Sequence, residues 1–160
     1  GSYINEIKPA DVTNREAHAA KVYFNALFGM DFSRAADNNI NAALNYGYGI
    51  LLSAFNREIT AQGYITQLGI FHDNVFNHFN LSSDLMEPFR PFVDRIVKDM
   101  SLEKFEHSEK MSIVDVLNIC VNIANQKQFL GNAIRLYCLS IFDALSDNDI
   151  AKIKFPSYEL

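Results

Sequence analysis

The feature that most constrains this fold is a helical repeat of apolar residues, clearest between about Asp37 and Gln62. In that stretch apolar residues recur every three or four positions, which places them on one face of a helix. The face consists of Ile40, Leu44, Gly47, Leu51 and Phe55. Gly63 follows, at a position where helices commonly end. The pattern predicts a long helix with one face packed against a core.

Four further segments carry the same period. They run from about Thr13 to Phe28, Asp84 to Met100, Ser112 to Asn125 and Gln128 to Leu145. Hydrophobic residues make up 49% and charged residues 21% of the 160 residues, which suits one globular domain with a sizeable core. No apolar run approaches the roughly 20 residues that span a bilayer. We therefore predict a single all-α domain of about five main helices that has no membrane partner.

The segment 63–83 interrupts the helical pattern. It is rich in Gly, Asn and His, and so long a loop in a compact domain is usually functional or disordered. Its apolar residues favour an ordered, functional loop with a short extended piece at 68–71. In the helix that follows, Pro91 should clash with the carbonyl group of Glu87 and distort the helix there.

The two ends of the chain are expected to lie outside the domain. Gly1 and Ser2 are typical of the remnant left when a tag is removed, and no initiating methionine or signal peptide opens the chain. We therefore expect a part excised from a longer protein. Residues 3–145 form the predicted domain, and residues 146–160, with a weak period and Pro156, predict a loosely docked tail.

Two cysteines indicate the cellular compartment. Cys120 and Cys138 each lie in an apolar stretch with no Cys or His at metal-ligand spacing. We expect both to be reduced core residues of a cytoplasmic, prokaryotic protein. The net charge of −5 argues against a large basic surface for nucleic acid. A bound metal cation could still supply positive potential locally.

Glu16 is unusual for its position in the first predicted helix. At about 100° per residue, it lies at the head of an apolar face. That face continues through Ala19, Ala20, Tyr23, Phe24 and Leu27. A carboxylate there is costly to desolvate unless it is paired or binds a cation. The alternative is a capping box, in which Glu16 bonds back to the amide of Thr13.

His72, Asp84 and Glu87 are the other candidates for chemistry. A histidine with nearby carboxylates suits a divalent metal, although the 15 residues between His72 and Glu87 match no short zinc signature. A structural, hydrogen-bonded histidine is the alternative. Asp84 and Glu87 can converge on one point because they are three apart on a helix. They could equally stabilise the helix N-terminus, by about 0.3–1 kcal/mol, with Asp84 as the N-cap.

A row of polar residues marks the long helix. It comprises Asn38, Asn41, Asn45 and Tyr48. Asn41 and Tyr48 are seven apart and therefore lie on one face. The row predicts either a buried hydrogen-bond network or a strip that faces a substrate.

Four segments together resemble one protein family, the universal CRISPR-associated endonuclease that integrates new spacers. They are EAHAAKVYF at 16–24, NAALNYGY at 41–48, GIFH at 69–72 and DLMEPFRPFVD at 84–94. Their order and separation also look like those of the family, and the last motif is long and specific. The residues of these motifs are most similar to those of the family members from type II CRISPR systems.

The resemblance implies a site. The helical C-terminal domain of this family holds a divalent metal, Mn²⁺ or Mg²⁺, through a Glu, a His and an Asp or Glu. The matching positions are Glu16, His72 and Glu87, with Asp84 beside them. Asn41, Tyr48 and Arg90 would support that site or contact DNA. The implied reaction is metal-assisted transesterification of DNA.

The resemblance also implies partners. These are DNA (a captured fragment and the CRISPR repeat), a small companion CRISPR adaptation protein, and a second copy in the full-length homodimer. The β-rich N-terminal domain of the family has no counterpart in this chain, so the fragment should be impaired as an enzyme. Two alternatives are a non-catalytic helical interaction module with capping carboxylates, and a metal-dependent hydrolase of another substrate.

Overall fold

A computed structural model describes residues 9–63 and 78–158, and these are mainly helical, as predicted. The α-helices are α1 (Pro9–Phe28), α2 (Asn39–Ala61), α3 (His78–Met86), α4 (Arg90–Lys98), α5 (His107–Val114) and α6 (Leu130–Ser146). The strands are β1 (Cys120–Ile123), β2 (Gln126–Phe129) and β3 (Ser157–Tyr158). None of the helices described here is long and apolar enough to cross a membrane.

The central element is α2, whose predicted apolar face is buried. Leu44, Leu51 and Phe55 are each 0% exposed, and α2 packs against α3, α4, α5 and α6. Asn38 caps its first turn by accepting a hydrogen bond from the amide of Asn41. Gly63, with a φ of +71°, follows the last turn, so the predicted extent of this helix is confirmed.

The distortion expected from Pro91 is a full break between α3 and α4. A 3₁₀ turn at Glu87–Phe89 separates the two helices, and Pro91 lies in the first turn of α4, where a missing amide is tolerated. The predicted start of this helix at Asp84 was wrong, because α3 begins at His78. Part of the predicted loop is therefore helical, and residues 64–77, including His72, lie outside the described residues.

A small antiparallel sheet replaces the second half of the helix predicted at 112–125, whose first half is helical as α5 and a 3₁₀ turn at Asp115–Asn118. Helix α5 ends at Val114, and β1 pairs with β2 in register Ile123↔Gln126 across a two-residue turn. Ala124 and Asn125 have φ values of 53° and 61°, the left-handed conformation that a tight hairpin turn requires. Cys120, in β1, is exposed, which corrects its predicted core position; Cys138 is buried as expected.

The C-terminal tail docks more tightly than predicted. Strand β3 pairs with the outer side of β1, which gives the strand order β2-β1-β3. The Tyr158 hydroxyl donates to the carbonyl oxygen of Pro91 at 2.8 Å. The Tyr158 ring lies 4.7 Å from that of Phe92. These contacts fasten the tail to α4.

Candidate active site

Glu16 lies in the exposed half of α1. Because α1 begins at Pro9, Glu16 is two turns inside the helix and Thr13 is not its N-cap, so the capping-box interpretation was wrong. Every residue from Val12 to Val22 is exposed, so the expected desolvation of Glu16 is absent as well. No side chain among the described residues pairs with its carboxylate. The carboxylate of Glu16 is therefore accessible to solvent.

Glu87 starts the 3₁₀ turn between α3 and α4. Its side chain is 61% exposed, and its Oε1 lies 2.9 Å from Nε of Arg90. The contact is an ion pair rather than an aligned hydrogen bond, because the Nε–H of Arg90 has no acceptor in its own direction. Asp84 is exposed and lies near the C-terminal end of α3, so its interpretation as an N-cap was wrong.

A buried carboxylate, Asp94, joins three helices through hydrogen bonds. It is 3% exposed and lies on α4. Its Oδ2 accepts a hydrogen bond of 2.6 Å from the Tyr23 hydroxyl of α1, and its Oδ1 accepts one from the Tyr48 hydroxyl of α2. A single carboxylate thus fixes the relative positions of α1, α2 and α4.

The electrostatics of this centre follow from its burial. Burial raises the pKa of Asp94, although its tyrosine donors and the nearby Arg90 and Arg34 favour the charged form. Burial and the hydrogen bond to Asp94 raise the pKa of Tyr23 and of Tyr48. Both phenols therefore remain neutral donors at physiological pH.

Asn41 supports a second arginine, Arg34. Its side-chain nitrogen donates to the carbonyl oxygens of Ser33 and Ala36 at 2.8 and 2.7 Å. Its Oδ1 is thereby turned to accept a hydrogen bond of 2.7 Å from Nη1 of Arg34. The predicted polar row on α2 is thus a hydrogen-bond network in its first turns. Asn45 extends it by accepting a hydrogen bond of 2.6 Å from Nη2 of Arg34.

The ring of Tyr48 connects the two arginines. The guanidinium carbon of Arg90 lies 4.7 Å from the ring centroid and that of Arg34 lies 5.5 Å from it, within the range of cation–π attraction. Arg90 continues the network to Glu87 through the ion pair described above. Asn41, Tyr48 and Arg90, three predicted supporting residues, therefore belong to one connected network with Glu87.

The spacing of the residues relates this network to both candidate carboxylates. Tyr23 lies seven residues after Glu16 on α1, and Asp94 lies seven residues after Glu87. The Tyr23–Asp94 hydrogen bond therefore joins the two elements at a point about two turns from Glu16 and a similar chain distance from Glu87. Sequence reasoning missed this role for Tyr23, Asp94 and Arg34. The available signal was an acidic residue next to the apolar positions of α4.

The third predicted ligand, His72, lies outside the described residues. Among the residues that the structure describes, no three His, Cys, Asp or Glu side chains are grouped so that they could hold a metal ion. The convergence of Glu16, His72 and Glu87 therefore stays a prediction. The donor chemistry is suitable, since two exposed carboxylates and an imidazole match the ligand preferences of divalent transition metals.

Fold and site together define a mainly helical domain in which a buried tyrosine–aspartate centre joins α1, which carries the exposed Glu16, to α4, which follows the exposed Glu87. The sequence profile of the family described as CRISPR associated protein Cas1 matches residues 5–130. This chain belongs to that family.

Individual relatives cover most of this chain. The CRISPR-associated endonuclease Cas1 of Neisseria meningitidis serogroup C (strain 8013) is 35% identical over 157 residues, which are 95% of this chain and 52% of the relative. CRISPR-associated endonuclease Cas1 1 of Francisella tularensis subsp. novicida (strain U112) is 29% identical over 140 residues, 79% of this chain and 44% of the relative. The chain therefore spans about half the length of the curated relatives it matches.

Proposed function

We propose that this chain is the catalytic domain of a divalent-metal-dependent DNA endonuclease that integrates new spacers into a CRISPR array. The observation that carries the proposal is its membership of the Cas1 family, whose profile spans all four motifs. Relatives across that family bear the name of CRISPR-associated endonuclease, which supports a nuclease activity for this chain.

The proposed metal ligands are Glu16, His72 and Glu87. The chemistry of the two carboxylates supports this assignment, because both are exposed and Glu16 has no described side-chain partner. The Glu87 carboxylate has one oxygen next to Arg90 and a second that remains available. A site that includes an imidazole favours a transition metal over Mg²⁺, which prefers oxygen ligands.

The proposed reaction is transesterification at the boundary of the CRISPR repeat. The 3′-hydroxyl of the captured DNA attacks the phosphorus and loses its proton as a new P–O bond forms. The bond from phosphorus to the 3′ oxygen of the repeat strand breaks, and that oxygen takes up a proton. A bound divalent cation would polarise the phosphoryl oxygen and stabilise the charge that develops in this in-line displacement. Hydrolytic cleavage is the same substitution with water as the nucleophile.

The protein's own residues orient the ligands for this reaction. Arg90 holds one oxygen of Glu87, and the Tyr48 ring in turn restrains Arg90. Asp94 and Tyr23 keep α1, and so Glu16, at a fixed distance from α4. Such support is what metal ligands require, because their affinity depends on the orientation set by neighbouring groups.

The proposed partners are those of a complete integrase. They are the captured DNA, the CRISPR repeat, a small companion adaptation protein and a second copy of the full-length chain. Because integration joins both ends of a captured fragment at a fixed separation, two active sites are needed on one DNA. We expect this 160-residue chain alone to bind DNA weakly and to cleave it poorly.

The rival interpretation is a non-catalytic module with capping carboxylates, and Glu16 does not support it because it does not cap a helix. That residue lies two turns inside α1, and no helix end is near it. Only Glu87 retains a local role, through its ion pair with Arg90. An exposed pair of this kind contributes at most about 1 kcal/mol to stability.

Calorimetric titration with Mn²⁺ and Mg²⁺ tests the metal site. We expect the parent protein to bind Mn²⁺ more tightly than Mg²⁺, and the substitution His72→Ala to remove most of that preference. Glu87→Gln should weaken metal binding by at least tenfold and abolish cleavage of branched DNA, while thermal unfolding changes little. Affinity should also fall in acid, because the imidazole must be neutral to bind.

Glu103→Gln is the matched control, because Glu103 is another exposed glutamate outside the network. It should leave Mn²⁺ affinity and cleavage unchanged. Equal Mn²⁺ binding by the parent, His72→Ala and Glu87→Gln proteins would show that these residues hold no metal.

A further inference from the structure

A cleft of about 530 Å³ lies beside Glu16, between α1 and the connection to α2. Its lining includes two cations, one carboxylate and several uncharged residues, namely Lys21 and Arg34, Asp31, and Ala20, Phe24, Asn25 and Phe32. Ala20 lies one helical turn after Glu16, so the cleft opens next to a proposed metal ligand. Its volume is in the range of small-ligand sites.

Hydrogen bonds to neutral groups orient the guanidinium of Arg34 in this cleft. Its two terminal nitrogens donate to the carboxamide oxygens of Asn41 and Asn45, which are neutral. No carboxylate among the described residues forms an ion pair with it. By contrast, Arg90 is paired with Glu87. Arg34 is thus a fixed, half-buried cation without a direct ion pair, although it lies near the Tyr48 ring and the buried carboxylate of Asp94.

The support of Arg34 is rigid at its base. Asn41 is 3% exposed; its side-chain nitrogen donates to the backbone carbonyl oxygens of Ser33 and Ala36, and its own backbone amide donates to Oδ1 of Asn38. A guanidinium has five N–H donors, and the two asparagines use only two of them. The remaining donors can bind a phosphate in the paired geometry that arginine favours.

The other wall of the cleft suits the remainder of a nucleotide. Phe24 and Phe32, whose ring centroids lie 6.0 Å apart, supply apolar surface. Asn25 Oδ1 is buried and accepts no hydrogen bond from any residue in the described part of the chain. Such an acceptor is costly to leave unsatisfied, and since Asn25 lines the cleft, rotation of its carboxamide would bring Oδ1 to an N–H group of a nucleobase. Lys21 adds a second cation at the rim.

We propose that this cleft binds one nucleotide of the DNA substrate, with its phosphodiester on Arg34 and its base against Phe24, Phe32 and Asn25. The inference rests on the proposed function, because it names DNA as the ligand. It assigns Arg34 and Lys21 to DNA binding and leaves the metal to the carboxylates. The site would anchor the strand one helical turn from Glu16.

Fluorescence anisotropy with a short labelled single-stranded DNA tests this site, in EDTA, so that metal binding plays no part. Arg34→Gln should weaken binding by about tenfold at low salt, as expected for one charge-assisted contact. The slope of log affinity against log salt should also fall by about 0.7, the value for one phosphate contact on a single strand.

A second variant adds a charge beside an intact arginine. Asn45 is exposed, and Asn45→Asp retains the oxygen that accepts from Arg34 while neutralising the guanidinium. It should weaken DNA binding as strongly as Arg34→Gln and should not destabilise the fold. The variant therefore separates loss of charge from loss of structure.

Arg135 and Asn132 provide a matched pair of controls. Arg135 donates to Asn132 Oδ1 at 2.9 Å, just as Arg34 donates to Asn45. Gln62, at the far end of α2, donates to the carbonyl oxygen of Arg135. The pair lies about 30 Å along α2 from Asn41. Arg135→Gln and Asn132→Asp should leave DNA affinity within about twofold of the parent, unless net charge alone governs binding.

The outcomes are distinct. Loss of affinity in Arg34→Gln and Asn45→Asp, with both controls unchanged, supports the site. An unchanged Arg34→Gln, or an equal loss in all four variants, overturns it. If Arg34→Gln binds DNA like the parent while Glu87→Gln abolishes cleavage, the nucleotide site fails and the proposed function stands. If Arg34→Gln weakens DNA binding while Glu87→Gln still cleaves DNA, the nucleotide site stands and the proposed function fails.

Discussion

Helices α1 and α2 are similar in length but differ in how they are held. Nine residues of α2 are buried, and its central side chains are completely enclosed by four other helices. Helix α1 is exposed from Val12 to Val22 and makes its contacts through its last two turns. There Phe24 and Phe28 pack against Phe32. Packing in the core holds α2 in place along its length, whereas α1 is held by a few contacts at its C-terminal end.

The difference explains where chemistry is possible in this domain. A buried helix offers no room for a metal ion and its substrate, whereas an exposed helix leaves its carboxylates accessible. The proposed site therefore lies at the boundary, with Glu16 on the exposed helix and Glu87 at a break next to the core. The Tyr23–Asp94 hydrogen bond spans that boundary.

Truncation of one phenylalanine in each region should give the largest contrast. Phe89 is 0% exposed, and its ring centroid lies 5.2 Å from that of Phe55 and 5.1 Å from that of Tyr137. Phe89→Ala should destabilise the protein by about 3–5 kcal/mol. Phe24→Ala should have less than half that effect, because Phe24 is only half-buried. Urea denaturation with unchanged m-values measures both. Equal losses would show that α1 belongs to the cooperative core.

Replacing each of two glycines of α2 by alanine should change stability in opposite directions, with smaller effects than the phenylalanine truncations. A Cβ at Gly47 would lie 2.3 Å from Cγ1 of Val93, so Gly47 permits the close approach of α2 and α4. Gly47→Ala should cost about 1–3 kcal/mol by overpacking. A Cβ at Gly49 would meet nothing within 4 Å, and Gly49→Ala should stabilise the helix by up to about 1 kcal/mol. Thermal unfolding of both variants measures the difference. Stabilisation by Gly47→Ala would contradict this packing.

The helices were predictable because their signal is local. The 3.6-residue period of α2 and the glycine after its last turn appear directly in the sequence. So does Pro91, whose clash with the preceding turn interrupts the helix. The β-hairpin was not predictable in the same way. Its turn uses Ala124 and Asn125 at left-handed φ, without the glycine that normally signals such a turn. Its short strands were therefore read as a continuation of a helix.

The site was only partly predictable, because its support depends on long-range contacts. Tyr23 and Asp94 are separated by 71 residues and Tyr48 and Asp94 by 46, so no local period connects them. Arg34 lies in a connection without periodicity, and its importance follows only from the two asparagines that hold it. The ligand residues, in contrast, were identified by their resemblance to a family, and their convergence is still a prediction.

The last prediction concerns Asp94, whose replacement should alter metal affinity more than stability at neutral pH. Because burial raises the pKa of Asp94 in the fold, the folded protein binds more protons than the unfolded chain as pH rises above the ordinary carboxyl pKa. Its contribution to stability is therefore greatest in acid and declines as the pH rises through the raised pKa. Asp94→Asn removes this dependence, so the variant should gain stability relative to the parent as the pH increases.

At neutral pH we expect Asp94→Asn to lie within about 1 kcal/mol of the parent in stability, because the weakened tyrosine hydrogen bonds oppose the relief of burying a charge. Mn²⁺ affinity should nevertheless fall several-fold, since Asp94 fixes α1 relative to α4. Asp99→Asn, at an exposed carboxylate following α4, is the control for charge alone. Urea titrations from acid to neutral pH and metal calorimetry measure the two effects. Unchanged Mn²⁺ affinity would show that the aromatic contacts of α1 suffice to position Glu16.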